Sequence, residues 1–122
     1  MVKGRNYNAV AVVVGLLVLY CGLAQAATYV VGGDKGWTYG VETWPDQKIF
    51  QTDDELLFYY SSADHNVVIV SQEEYENCKA SKNAKVYRTG KDQIKLKKGP
   101  NYFISSIKGQ CGNGLKLVVH AH

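Results

Sequence analysis

The chain has 122 residues, 20% of them charged, and a formal net charge of +3 at pH 7. This length fits one small domain. This weak charge gives no sign of the clustered basic face that nucleic-acid-binding domains present, so no nucleic-acid partner is expected.

The first 26 residues have the features of a secretory signal peptide. Lys3 and Arg5 give a basic start, residues 9–23 form an apolar run, and residues 24–26 (AQA) form a small-residue cleavage site. The run is too short for a membrane anchor, which needs about 20 residues. A lipid anchor on Cys21 is disfavoured because bulky Tyr20 precedes it.

Cleavage after residue 26 would leave residues 27–122 as one domain. The loss of two basic residues would lower its formal net charge to +1. The C-terminal segment has no apolar tail of the kind that a GPI-attachment signal requires, so we expect no membrane anchor. We therefore expect a soluble protein that is secreted to the extracellular space.

Two cysteines, Cys78 and Cys111, remain after such cleavage. In a small exported domain they are expected to form a disulfide. Closing a loop of about 34 residues stabilises a domain by ~4 kcal/mol in the chain-entropy model. The alternative is a free, reactive thiol at Cys111.

Seven short runs rich in β-branched and aromatic residues follow the cleavage site, separated by Gly, Pro, Asn and Asp. This pattern is typical of an antiparallel sandwich or barrel. A capping box between Ser71 and Glu74 predicts one short helix over residues 71–78. The fold class is therefore expected to be all-β with one short helix. The predicted strands are residues 28–31, 55–60, 66–70, 86–89, 93–96, 102–105 and 115–119.

The aromatic residues divide into a core set and a surface set. Six have the size and number to fill the centre of one sandwich. Tyrosines that face outward offer a different role, the binding of a glycan. The expected core set is Tyr29, Trp37, Trp44, Phe50, Phe58 and Phe103, and the expected surface set is Tyr39, Tyr59, Tyr75 and Tyr87.

Four segments carry a family resemblance. They are residues 27–44 (ATYVVGGDKGWTYGVETW), 64–70 (DHNVVIV), 84–104 (AKVYRTGKDQIKLKKGPNYFI) and 109–121 (GQCGNGLKLVVHA). Together they resemble the phytocyanins, a plant subfamily of the cupredoxins, over almost all of residues 27–122. The resemblance implies a cupredoxin-like Greek-key β-sandwich with a disulfide between Cys78 and Cys111.

Blue members of that family hold one copper ion with two imidazoles, a thiolate and a weak axial ligand. The resemblance places the mid-chain histidine at His65. It places the cysteine, histidine and methionine of a C-x4-H-x4-M loop at Ser105, Gln110 and Leu115. Three of the four donors are therefore replaced. Neither a serine hydroxyl nor an amide substitutes for the thiolate, so no copper or other cofactor is expected.

Other candidate sites are weaker. Cys111 cannot take the place of the missing thiolate without breaking the expected disulfide. His120 and His122 share one face of a predicted strand end and could chelate a divalent transition metal weakly, but a frayed polar terminus is the preferred explanation. We find no catalytic motif and expect no enzyme.

Two functions from different classes fit these observations. The first is a monomeric, copper-free binding or signalling module whose partner is an extracellular protein or a cell-wall glycan. In this interpretation Ile107 and Leu115 form an apolar contact patch at the former copper end. The second is a blue copper electron carrier of the plantacyanin type, with copper as its cofactor.

Overall fold

The computed structural model describes residues 25–122, which form a sandwich of two β-sheets. The predicted signal peptide lies outside the described residues except for Gln25 and Ala26, which are exposed and have no regular secondary structure. Within residues 25–122, no helix has the length and hydrophobicity needed to cross a membrane.

Among the described residues, seven strands form close to the places that the sequence predicts. One sheet has the order β1-β2-β5 and the other has the order β4-β3-β6-β7. This arrangement confirms the predicted all-β Greek-key sandwich. The strands are β1 (Thr28–Val30), β2 (Glu55–Tyr59), β3 (Val67–Val70), β4 (Val86–Tyr87), β5 (Lys91–Lys95), β6 (Gly99–Ile104) and β7 (Lys116–Ala121).

One strand pair departs from the expected antiparallel pattern, because β1 runs parallel to β2. Parallel neighbours need a long crossover between them. Here the crossover contains two short 3-10 helices, Gly33–Lys35 and Val41–Thr43. This crossover lies next to the candidate site described below.

A second difference concerns Pro100. The sequence suggests a turn at Gly99 and Pro100, but both residues belong to β6 and pair with β7. Pairing of β6 with β3 begins only at Tyr102. Proline has no N–H to donate to a neighbouring strand. It is therefore tolerated at the start of a strand, on the side that has no partner strand.

The single α-helix of the described residues, α1 (Gln72–Asn77), begins with the predicted capping box. The Ser71 hydroxyl accepts from the Glu74 N–H at 3.2 Å, and the Glu74 carboxylate accepts from the Ser71 N–H at 2.9 Å. The helix ends at Cys78, which has a left-handed conformation with φ 51°. The predicted range of 71–78 therefore includes both cap residues.

The sandwich interior is filled largely by the predicted aromatic set. Trp37 and Phe58 pack edge to face with ring centroids 5.2 Å apart, and Phe58 also contacts Phe103. Tyr29 and Trp44 are only half-buried and cover the edge of this cluster. Aromatic side chains of this size supply much of the apolar area that stabilises a small domain.

The disulfide joins Cys78 to Cys111, as predicted, with the two Cα atoms 5.5 Å apart. Cys111 is buried in a second apolar cluster that includes Val68 and Ile104, with Tyr75 and Cys78 at its edge. Through this bond the end of α1 holds the loop between β6 and β7. That loop carries three of the four candidate site positions.

Candidate functional site

The loop between β6 and β7 and the connection between β2 and β3 bring all four predicted positions to one end of the sandwich. The Ser105 hydroxyl donates to the side-chain oxygen of Gln110 at 2.7 Å, and the Nδ1 atom of His65 lies 3.0 Å from the same oxygen. Leu115 is tied to the loop by its backbone, since its N–H donates to the Gln110 carbonyl at 3.0 Å and its carbonyl accepts from the Ser105 N–H at 3.1 Å. The four positions that the resemblance assigns to the copper site therefore lie together at this end of the sandwich.

The orientation of the Gln110 amide determines which atoms donate in this cluster. Its Nε2 group donates to the Asp64 carbonyl at 2.8 Å, so its Oε1 atom faces Ser105 and His65. An amide oxygen only accepts, and both neighbours must therefore donate to it. His65 carries its proton on Nδ1, and in the neutral imidazole Nε2 is the unprotonated nitrogen.

Asn66 fastens the loop from the other side. Its side chain accepts from the Ser106 N–H and donates to the Ser106 hydroxyl, both at 2.9 Å. Its backbone carbonyl accepts from the Trp37 indole at 2.8 Å. Sequence reasoning placed Asn66 in a strand and missed this role. An asparagine directly before the β-branched run 67–70 was the signal available in the sequence.

Leu115 does not contribute to an exposed patch, and that prediction is wrong. Its side chain is 0% exposed and belongs to the main core cluster, so it points into the sandwich. The exposed large hydrophobic side chains at this end are those of Ile107, which is 38% exposed, and Tyr39, which is 45% exposed. Tyr39 packs edge-on against the His65 ring with centroids 5.8 Å apart.

The donor set does not fit a type 1 copper ion. That ion requires a thiolate and two imidazoles, whereas these four positions supply one imidazole, a hydroxyl, an amide and an aliphatic side chain. Among residues 25–122 no three His, Cys, Asp or Glu side chains are grouped so that they could hold a metal ion. Ser105 is 1% exposed and its hydroxyl has Gln110 as its acceptor. Among the described residues, no buried side-chain nitrogen or oxygen lacks a hydrogen-bond partner.

A cleft of about 390 Å³ lies beside the site, in the crossover between β1 and β2. We call it the aromatic cleft because the aromatic side chains of Tyr39 and Trp44 line it. Its charged lining residues are Asp34 and Lys35, whose formal charges cancel. The cleft thus combines aromatic and polar groups without a net charge.

His120 and His122 lie away from this site, near the opposite end of β7 from Leu115. Both are exposed, and their ring centroids are 5.3 Å apart. They share one face, as the two-residue period of a strand predicts. Weak metal chelation by this pair stays a prediction.

Comparison with known proteins places the chain in a family. Residues 37–115 match the family model described as a plastocyanin-like domain. The chain is 50% identical over 95 residues to a basic blue protein of Cucumis sativus, covering 78% of this chain and 99% of that relative. It is 44% identical over 125 residues to a chemocyanin of Lilium longiflorum, covering 99% of each.

Solved structures agree in fold. Cucumber basic protein, a blue copper protein, superposes with a TM-score of 0.77 at 49% identity, over 79% of this chain and 100% of that chain. Cucumber stellacyanin with Cu²⁺ gives a TM-score of 0.70 at 27% identity, over 80% of this chain and 96% of that chain. Family model, relatives and architecture agree, and the chain belongs to the phytocyanin family of plastocyanin-like proteins.

Proposed function

We propose that this protein is a secreted phytocyanin that lacks type 1 copper and acts as a non-catalytic binding module outside the cell. One observation carries the proposal. The Gln110 side-chain oxygen accepts hydrogen bonds from both Ser105 and His65, at positions that the family resemblance assigns to copper ligands.

Copper would have to displace this arrangement to bind. A metal on His65 Nδ1 would have to replace the proton that this atom donates to Gln110, and a metal on the Ser105 hydroxyl would have to enter the space of its contact with Gln110. The incoming ion would gain one imidazole and neutral oxygens, which are poor ligands for copper compared with a thiolate. Leu115 offers no axial donor and is fixed in the core. The hydrogen-bonded form of the loop is therefore favoured over a copper-bound one.

The exposed chemistry at this end favours a glycan as the partner. Tyr39 presents 45% of its surface to solvent, and an aromatic ring face can stack against the apolar C–H face of a pyranose. Thr38 and Thr43 also line the aromatic cleft and can exchange hydrogen bonds with sugar hydroxyls. Because the charges of Asp34 and Lys35 cancel, the cleft suits a neutral ligand.

A blue copper electron carrier is the second candidate function. Its support is the similarity to the cucumber basic blue protein, at 50% identity. This function needs a copper ion with a thiolate ligand. A direct measurement of copper binding therefore distinguishes the two candidate functions.

Calorimetric titration of the secreted protein with Cu(II) tests the loss of copper. The positive control is a triple variant, Ser105→Cys, Gln110→His and Leu115→Met, which supplies the missing donors. We expect no tight binding heat in the wild type and tight binding with a blue colour in the triple variant. Tight one-to-one binding by the wild type would establish the electron carrier instead.

Glycan-array binding tests the partner class. Tyr39→Ser removes the aromatic face of the cleft, and Tyr59→Ser is the matched control because Tyr59 is 40% exposed on β2, outside the lining of the cleft. We expect the wild type and the control to bind the same plant cell-wall glycans, with binding lost in Tyr39→Ser. If the wild type binds no glycan on the array, the partner is not of this class and a protein partner takes its place.

A further inference from the structure

Within residues 25–122, Asp54 is a buried carboxylate without a formal counter-charge. The residue is only 3% exposed, and its two carboxylate oxygens accept hydrogen bonds from main-chain N–H groups. Oδ1 accepts from Ala27 at 2.9 Å and Oδ2 accepts from Gln51 at 2.8 Å. In residues 25–122, no lysine or arginine hydrogen bonds to this carboxylate. A buried charge of this kind is costly unless an opposite charge accompanies it.

Ala27 is held firmly at this carboxylate. Its carbonyl accepts from the Glu55 N–H at 2.9 Å, which extends the parallel pairing of β1 with β2 by one residue. Its nitrogen donates to Asp54, although Ala27 is itself exposed, as are the preceding residues Gln25 and Ala26. The chain therefore enters the fold at Ala27.

The predicted cleavage site lies at the same position, directly after Ala26. We infer that removal of the signal peptide converts the Ala27 N–H into an α-ammonium group that forms an ion pair with Asp54. Signal peptidase hydrolyses the Ala26–Ala27 amide with one water molecule. Ala26 receives the hydroxyl group and leaves as a carboxylate, and the Ala27 nitrogen receives the proton and is further protonated by solvent.

The pairing changes the energy of the N-terminus after processing. Before cleavage a neutral N–H donates to the carboxylate, and after cleavage a charged donor occupies the same position. Charge-assisted hydrogen bonds are roughly twice as strong as neutral ones. Processing thus supplies the counter-charge that Asp54 lacks and locks β1 onto β2. This inference rests on the signal-peptide prediction and is independent of copper and of any partner.

The test uses the full chain expressed in a secretory host. Intact mass identifies the first residue of the secreted product, which we expect to be Ala27. A matched variant carries a Gly-Ser insertion after Ala26, so that its α-ammonium group is displaced from Asp54. We expect the thermal midpoint of the insertion variant to be about 4 °C lower than that of the wild type. When both proteins also carry Asp54→Asn, the chain with the insertion and the chain without it should have the same thermal midpoint.

A second measurement keeps the test decisive if Asp54→Asn does not fold. The rate at which the α-amine reacts with acetic anhydride at neutral pH reports its protonation, since the ammonium form does not react. We expect this rate to be about tenfold slower in the wild type than in the insertion variant. Equal rates and equal melting temperatures, or a first residue other than Ala27, would overturn the inference.

Discussion

Replacing Gln110 with leucine removes the side chain on which the hydrogen-bonded site depends. The substitution keeps similar bulk but deletes three interactions. These are the bonds that Gln110 accepts from Ser105 and His65, and the bond that it donates to the Asp64 carbonyl.

The size of the effect follows from the surroundings of each group. His65 is half-exposed and Asp64 is exposed, so both can bond to water after the change. Ser105 is buried, and its remaining acceptor is the side-chain oxygen of Asn66 at 3.3 Å. Each lost hydrogen bond costs about 0.5–1.5 kcal/mol of net stability. Because water and Asn66 partly replace the lost partners, we expect the free energy of unfolding to fall by about 2 kcal/mol in total. For a domain of this size the thermal midpoint should fall by about 10 °C.

Urea unfolding followed by tryptophan fluorescence measures this loss. The control is Gln93→Leu, because Gln93 is exposed on β5 and makes one surface hydrogen bond, to Glu55. The control should change the free energy of unfolding by less than about 0.5 kcal/mol. If Gln110→Leu behaves like the control, the network does not hold the loop and our account of the site is wrong.

Three further predictions concern the scaffold. Burial and the hydrogen bond to Asp92 raise the pKa of Tyr60 to about 12. Above pH 10 this tyrosine therefore ionises in the unfolded state before it ionises in the folded state, which lowers the free energy of unfolding. Measured by urea unfolding, the stability of the wild type should fall more steeply between pH 10 and 12 than that of Tyr60→Phe. Replacing both cysteines of the disulfide with alanine should cost ~4 kcal/mol in the same assay, and a loss below about 1 kcal/mol would contradict the stabilising role. Ser71→Ala should cost about 1 kcal/mol by breaking the capping box with Glu74, and an unchanged urea midpoint would refute it.

Local sequence patterns were sufficient to predict most of the fold. β5 and β7 alternate buried and exposed residues along their length, which is the period of a half-buried strand. The capping box at Ser71 requires only residues three apart, and it formed as predicted. Features of this kind are encoded within a few residues of chain.

Long-range arrangements were harder to predict. The parallel pairing of β1 with β2 depends on how a long crossover folds back, and no local pattern specifies that path. The burial of Leu115 was missed for a related reason. Its position in the loop suggested exposure, but the adjoining β7 directs its side chain into the core.

The candidate site was predicted by resemblance and spacing rather than by composition. The family loop located Ser105 and Gln110, and the structure places both beside His65. Asn66 was missed because its role depends on Ser106, which is 40 residues away in the chain. Ala27 and Asp54 are similarly distant in sequence, at 27 residues apart, and their contact could not be predicted from either segment alone.

The copper content and visible spectrum of the secreted wild-type protein test the central claim most directly. The protein should be purified from a secretory host grown with added copper, alongside the triple variant Ser105→Cys, Gln110→His and Leu115→Met. Our account predicts colourless wild-type protein with far less than one copper per chain, and a blue triple variant. A blue wild-type protein with about one copper per chain would contradict it, because these four side chains do not provide a type 1 site.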